Sequence, residues 1–156
     1  MDRFFTWRDD WSLGVPGMDR QHRQIAEILN NLAETYLGEE GDSEAASREA
    51  QCHTYLQALY SRSREHFSDE ETLMLEADYP DLPAHAHEHR MLLAELMFFI
   101  RDIEEGRDQL NLGALKSLKT WFISHVLSSD KEFAEFLQAQ GEEAPAAAGR
   151  QAAGER

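Results

Sequence analysis

The chain has 156 residues and a formal net charge of −15, with a single cysteine. The length suits one domain with its own core and is short for two. The acidity, with no cluster of Lys and Arg, excludes nucleic acid as a partner, because phosphate backbones demand such clusters. No apolar run approaches a bilayer span, so membrane insertion is excluded as well.

The N-terminus MDRFFTWRDDW lacks the uninterrupted apolar stretch of a secretory signal, so the sequence predicts a cytoplasmic chain. A lone Cys52 cannot close an internal disulfide, which fits a reducing compartment. Residues 1–17 carry Phe4, Phe5, Trp7 and Trp11 among Gly14, Pro16 and Gly17, and read as an aromatic arm packed on the body. Asp19 then reads as the cap of a first helix, whose inner stripe is Ile25, Ile28, Leu29, Leu32 and Tyr36. LGEEGD at 37–42 ends it. A second helix follows Asp42 or Ser43 and runs to about Ala77, with Tyr55, Leu56, Leu59, His66, Glu70, Leu73 and Met74 on its inner face.

DYPDLPAH is the next break, with Pro80 and Pro83 stopping and starting helices. The third helix carries His85, His89, Leu92, Leu93, Leu96, Phe99, Ile100 and Ile103, and stops near Gly106. Asn111 caps a fourth, with Leu115, Leu118, Trp121, Phe122, His125, Phe133 and Phe136. Residues 139–156 are rich in Ala, Gly and Glu and read as a disordered tail, leaving 1–138 as the folded domain. Four amphipathic helices with short connections predict an all-α, antiparallel up-down-up-down four-helix bundle.

That topology places the polar oddities. His22 opens the first helix, His66 and Glu70 are late in the second, His85 and His89 open the third, and His125 and Asp130 are late in the fourth. All seven fall at one end of the bundle. Residues four apart lie about 40° apart around a helix, so His66 shares a face with Glu70 and His85 with His89. His87 and His53 are rotated away. A lone HxxxH or HxxxE on a helix is a weak signal, and an inward histidine is commonly a satisfied core residue. Convergence lifts the set above those readings, since an unmetallated cluster of inward polar groups is costly to bury. Asp130 is the least regular member. Five residues past His125 is about 140° around an ideal helix, so a π-type widening is needed to bring it to the face. Glu132 is its rival.

Seven N/O ligands without a thiolate are too many for one tetrahedral zinc and suit two octahedral ions bridged by carboxylates. Two six-coordinate ions need twelve donors. Five imidazoles, two bridging carboxylates and one bridging oxo or hydroxo group leave a single position open for a small ligand such as O2. Neutral imidazoles dominate the set, which favours a reduced ion and reversible binding over O–O cleavage.

The stretches DRQH ending at His22, HFSDEE at 66–71, HAHEH at 85–89 and WFISHVLSSD at 121–130 closely resemble the hemerythrin family, in particular the single-domain bacterial members. The resemblance covers about Trp7 to Phe136. It implies reversible dioxygen binding at a non-haem di-iron centre with an oxo or hydroxo bridge, in an oxygen carrier or store rather than an enzyme. One iron is expected on His85, His89 and His125, the other on His22 and His66 beside the open position, with Glu70 and Asp130 bridging. Ile25, Met74, Leu93 and Trp121, one turn from the ligands, are the expected walls of the O2 pocket. The expected partners are dioxygen and an O2-consuming enzyme, with the chain itself monomeric. Sensing, peroxidase activity and nitric oxide scavenging are the alternative uses of the same centre.

Overall fold

A computed structural model describes residues 4–38 and 45–151 of the chain. Its helices are α1 (Pro16–Leu37), α2 (Ala45–Glu76), α3 (Leu82–Glu104), α4 (Leu112–His125) and α5 (Lys131–Gln151). A π turn, Val126–Asp130, joins α4 to α5 in right-handed helical backbone, so the two form one interrupted rod. The result is an all-helical four-helix bundle.

Local chemistry sets each boundary. Pro16 stands at the first position of α1, where a missing N–H costs nothing and the fixed φ is already helical. Asp19 is therefore not the cap. Its carboxylate reaches back and accepts from the Leu13 and Gly14 amides at 2.8 and 3.2 Å, fastening the arm to the helix. α2 ends in a left-handed residue, Asp78 (φ 56°). The Tyr79 amide closes on the Met74 carbonyl at 2.9 Å and the Asp78 amide on that of Leu75 at 3.2 Å, the paired bonds that satisfy a helix C-terminus. Gly106 takes the left-handed position after α3 at φ 79°. Asn111 caps α4, its Oδ1 accepting from the Ala114 amide at 2.8 Å. Where α2 was expected to begin, residues 42–44 lie outside the described residues. At the far end, α5 continues through Gln151, beyond the expected boundary at 138 and into the segment read as disordered, because alanine-rich sequence extends a helix readily. Residues 152–156 lie outside the described residues.

The interior is a continuous apolar column. Leu29, Leu32 and Ala33 of α1 face Cys52, Leu56 and Leu59 of α2, Leu96 and Ile100 of α3, and Leu115 and Leu118 of α4, all buried. Full burial of one such side chain contributes roughly 1.5–3 kcal/mol. The aromatic arm closes one flank. Phe5 is buried against Trp7, Trp11 and Phe122, and Asn30 binds both its amide and its carbonyl. Lys119 donates to the Phe4 carbonyl at 3.0 Å, and Gln138 donates to that of Leu13 at 2.7 Å. A second aromatic cluster, Tyr79 with Phe133 and Phe136, caps the end of the bundle where α2 stops and α5 begins.

Candidate metal centre

Between the apolar column and that aromatic cap lies a polar layer. His22, His66, Glu70, His85, His89, His125 and Asp130 are all buried there. Their ligand atoms form two overlapping groups within 4.8 Å: Glu70, His85, His89, His125 and Asp130 in one, His22, His66, Glu70 and Asp130 in the other. The structure thus brings together all seven residues that helical spacing singles out. His53 and His87 stay outside. His53 is half exposed and pairs with Glu104 at the opposite end of the bundle. Glu132 is exposed.

Asp130 reaches the layer through the π turn. Its extra residue absorbs the angular misfit of a five-residue spacing, and Asp130 is fully buried. The two carboxylates then divide their oxygens. Asp130 Oδ1 lies 3.0 Å from His125 Nε2 and 3.1 Å from His85 Nε2, while its Oδ2 lies 3.0 Å from His22 Nε2. Glu70 Oε1 faces His89 Nε2 at 3.1 Å and His85 Nε2 at 3.4 Å, while its Oε2 faces His66 Nε2 at 3.1 Å and His22 Nε2 at 3.8 Å. Each carboxylate therefore straddles a three-histidine group and a two-histidine group.

Asp130 hydrogen-bonds His22 and His85, but the other donors do not satisfy one another. Nε2 of His66, His89 and His125 and both oxygens of Glu70 are buried without a hydrogen-bond partner, although they lie close together. Buried polar atoms are ordinarily paired, and five orphans in one layer suit cations set between them. The electrostatics agree. Burial opposes charge on His22, yet the hydrogen bond to Asp130 and the nearby Glu70 carboxylate outweigh it and raise its pKa to about 9. The same carboxylates raise His85 against its burial to about 9. Against its own burial, His125 is raised to about 10 by Asp130, with help from Glu88. Burial would push Glu70 up, but the charge of His66 and the close approach of the His22 and His85 imidazoles hold it well below the usual carboxylate range. Asp130 is likewise held low by His125 and His22, against burial and the charge of Glu70. The metal-free layer is thus a store of protons that incoming cations displace.

Three side chains that spacing did not single out hold the outer face of the imidazoles. Gln21 Oε1 lies 2.6 Å from His66 Nδ1, Glu71 Oε2 lies 2.7 Å from His89 Nδ1, and Glu88 Oε2 lies 3.0 Å from His125 Nδ1. Each sits next to a ligand on its own helix and serves a histidine on the following one. Adjacency is the signal that could have found them: a polar residue beside a ligand points about 100° round the helix, toward its neighbour. His22 Nδ1 has no partner, and the Trp7 ring lies 6.2 Å from the His22 ring.

One turn inward is a cavity of about 10 Å³, lined by Ile25, Ser63, Phe67, Leu92, Trp121, Phe122 and His125. That is the size of one small molecule. Ile25 and Trp121 stand where the sequence placed pocket walls. Leu93 does not. It lies in an outward groove with Tyr60, Met97 and Phe98, and Leu92 takes its place. Leu92 is about 20° from the direction of His85 around α3, and Leu93 about 80°. Met74 is fully buried but lies one turn on the other side of Glu70, where its carbonyl closes the end of α2 beside the aromatic cap, and it does not line this cavity.

Residues 13–137 match the family model described as the hemerythrin HHE cation binding domain. A bacteriohemerythrin of Stenotrophomonas maltophilia is 28% identical over 134 residues, covering 86% of this chain and 82% of the relative. A bacteriohemerythrin of Pseudomonas aeruginosa is 30% identical over 139 residues, covering 85% and 81%. A wild-type hemerythrin crystal structure superposes with a TM-score of 0.73 at 25% identity, covering 85% of this chain and 96% of that one.

Proposed function

The chain belongs to the hemerythrin family, and on that premise we propose that it binds dioxygen reversibly at a non-haem di-iron centre, as an oxygen carrier or store and not as an enzyme. The observation that carries this reading is the division of Glu70 and Asp130, each with one oxygen toward His85, His89 or His125 and the other toward His22 or His66. One iron would sit on the three-histidine group and the other on the two-histidine group, with the two carboxylates bridging. When bound, such a pair supplies two electrons to dioxygen and recovers them on release.

The chain's own residues supply the rest. Nine donors from the side chains alone, counting each imidazole once and each carboxylate twice, leave room for a small bridge and one open position between two six-coordinate ions. Five neutral imidazoles favour the reduced ions that reversibility requires. Ile25, Trp121, Phe122 and Phe67 exclude water from the inner side, and the arm with Trp7 covers His22. Nδ1 hydrogen bonds at His89 and His125 leave Nε2 bare toward the centre, the tautomer a ligand needs. No helix among the described residues is long and apolar enough to cross a membrane. A cytoplasmic role, delivering oxygen to a consuming enzyme, fits the free Cys52.

The test is iron content per chain together with visible spectra cycled between O2 and argon after anaerobic reduction. Two irons, and charge-transfer bands that appear with O2 and fade under argon, are expected. Bands that never reverse would move the assignment to an oxidase, a peroxidase or iron handling, and a folded chain that takes up no iron would remove the di-iron reading altogether.

A further inference from the structure

The imidazoles of the two groups are held unequally. In the three-histidine group, His89 Nδ1 lies 2.7 Å from the Glu71 carboxylate and His125 Nδ1 lies 3.0 Å from that of Glu88. Glu88 is itself fixed by the hydroxyl of Ser129, which donates to its second oxygen. In the two-histidine group, His66 Nδ1 meets only the neutral amide oxygen of Gln21, at 2.6 Å, and His22 Nδ1 is buried with no partner. The division is two carboxylates against none.

We infer that Gln21, Glu71 and Glu88 are positioning residues for the two-ion centre, and that their unequal charge makes the His85–His89–His125 position fill first and empty last. The inference rests on the two-ion reading above and adds an order to it. A carboxylate accepting from Nδ1–H fixes the ring, selects the tautomer whose Nε2 lone pair faces the ion, and makes that nitrogen a stronger donor. A neutral amide fixes the ring with less gain in donor strength. Two extra negative charges beside one position also attract its cation, while at the other position the further carboxylate, Asp69, acts only through the Gln21 amide that donates to it at 2.8 Å. The ion beside the open coordination position is then the one held less firmly, and the first that a chelator removes.

The test uses the full chain, stripped of metal under argon and titrated with Co(II), whose d–d absorption and binding heat resolve successive sites. Wild type should bind two ions in two steps. Glu71→Gln and Glu88→Gln should each weaken the tighter step about 10- to 100-fold and leave the weaker step unchanged. Gln21→Leu should weaken only the weaker step. Glu71 and Glu88 are partly exposed, with 35% and 37% of their side-chain surface accessible, so the metal-free variants should still fold, with only a small drop in melting from the lost pairing to the imidazole. If Glu88→Gln fails to fold, Ser129→Ala removes only the hydroxyl behind Glu88, and the tighter step must still weaken. Loss spread evenly over both steps is what general destabilisation would produce and would overturn the inference. So would unchanged binding in all the variants. Wild type taking up one Co(II) or none would overturn the two-ion reading itself, before any variant is compared.

Discussion

Compare the interior lined by Leu32, Leu59, Ile100 and Leu115 with the interior two to three turns away, where five histidines and two carboxylates converge. The helices are the same and the burial is the same. In the first layer every group gains by leaving water. In the second, orphaned nitrogens and oxygens lose hydrogen bonds to water and recover none from one another, at roughly 1–3 kcal/mol for each unsatisfied group. The contrast separates two tasks along one axis: the apolar layer holds the bundle together, and the polar layer is kept strained for cations by the stability the first supplies.

The contrast breaks most visibly in the apolar layer. Leu59→Ala should cost about 3 kcal/mol, within the range for a fully buried leucine, and the loss should be the same with and without metal. Denaturant unfolding in the presence and absence of a chelator measures both. A loss confined to the metal-loaded form would mean that the two layers are not separate.

The polar layer should answer to pH instead. Folded, His22 and His85 titrate near 9 and His125 near 10, against about 6.5 unfolded. Their contribution to the metal-free protein is complete below about pH 6.5 and is lost as pH rises through 9 to 10. Glu70 and Asp130, held low, contribute above about pH 4 and lose that contribution as pH falls further. Melting of the chelated protein should therefore drop by several degrees between pH 6.5 and 9.5. The metal-loaded protein should instead begin to lose stability as pH falls below about 6.5, where the chelated protein is still at its best, because protons compete with the ions. A flat profile in chelator would mean that the imidazoles are not charged in the empty layer.

The smallest effect expected is at the border between the layers. Ser63 is buried beside His125, and its hydroxyl has no partner. Ser63→Ala should stabilise the protein by about 1 kcal/mol, since removing an unsatisfied hydroxyl relieves its desolvation cost. Chemical denaturation of the variant decides the sign.

The polar layer was more legible in the sequence than its surroundings. The 3.6-residue period pairs His66 with Glu70 and His85 with His89, and antiparallel connectivity brings four helix ends together. Both rules act through the backbone alone. The irregular Asp130 was legible only as a demand for a π turn, which the structure supplies at Val126–Asp130. The choice between Leu92 and Leu93 was not legible, because it depends on how far α3 is rotated about its own axis, and packing against α2 and α4 sets that rotation. The same holds for Gln21, Glu71 and Glu88. Each faces sideways, and which neighbour it meets is decided by the space between helices. The arm was visible as aromatic sequence, but its fastening by Asn30, Lys119 and Gln138 was not, since those partners lie up to 125 residues away.

The π turn carries one further consequence. It makes the centre sensitive to the number of residues between His125 and Asp130 as well as to their kind. The widened turn takes up the one residue by which this spacing exceeds the four that share a face of a regular helix. A further residue inserted beside Ser128, an exposed position, would need to change neither charge nor apolar content. It would find no such slack, and would turn everything beyond it by about 100°, taking Asp130 out of the layer and Phe133 out of the aromatic cap in the same movement. In this short stretch an extra residue is a deeper lesion than a wrong one.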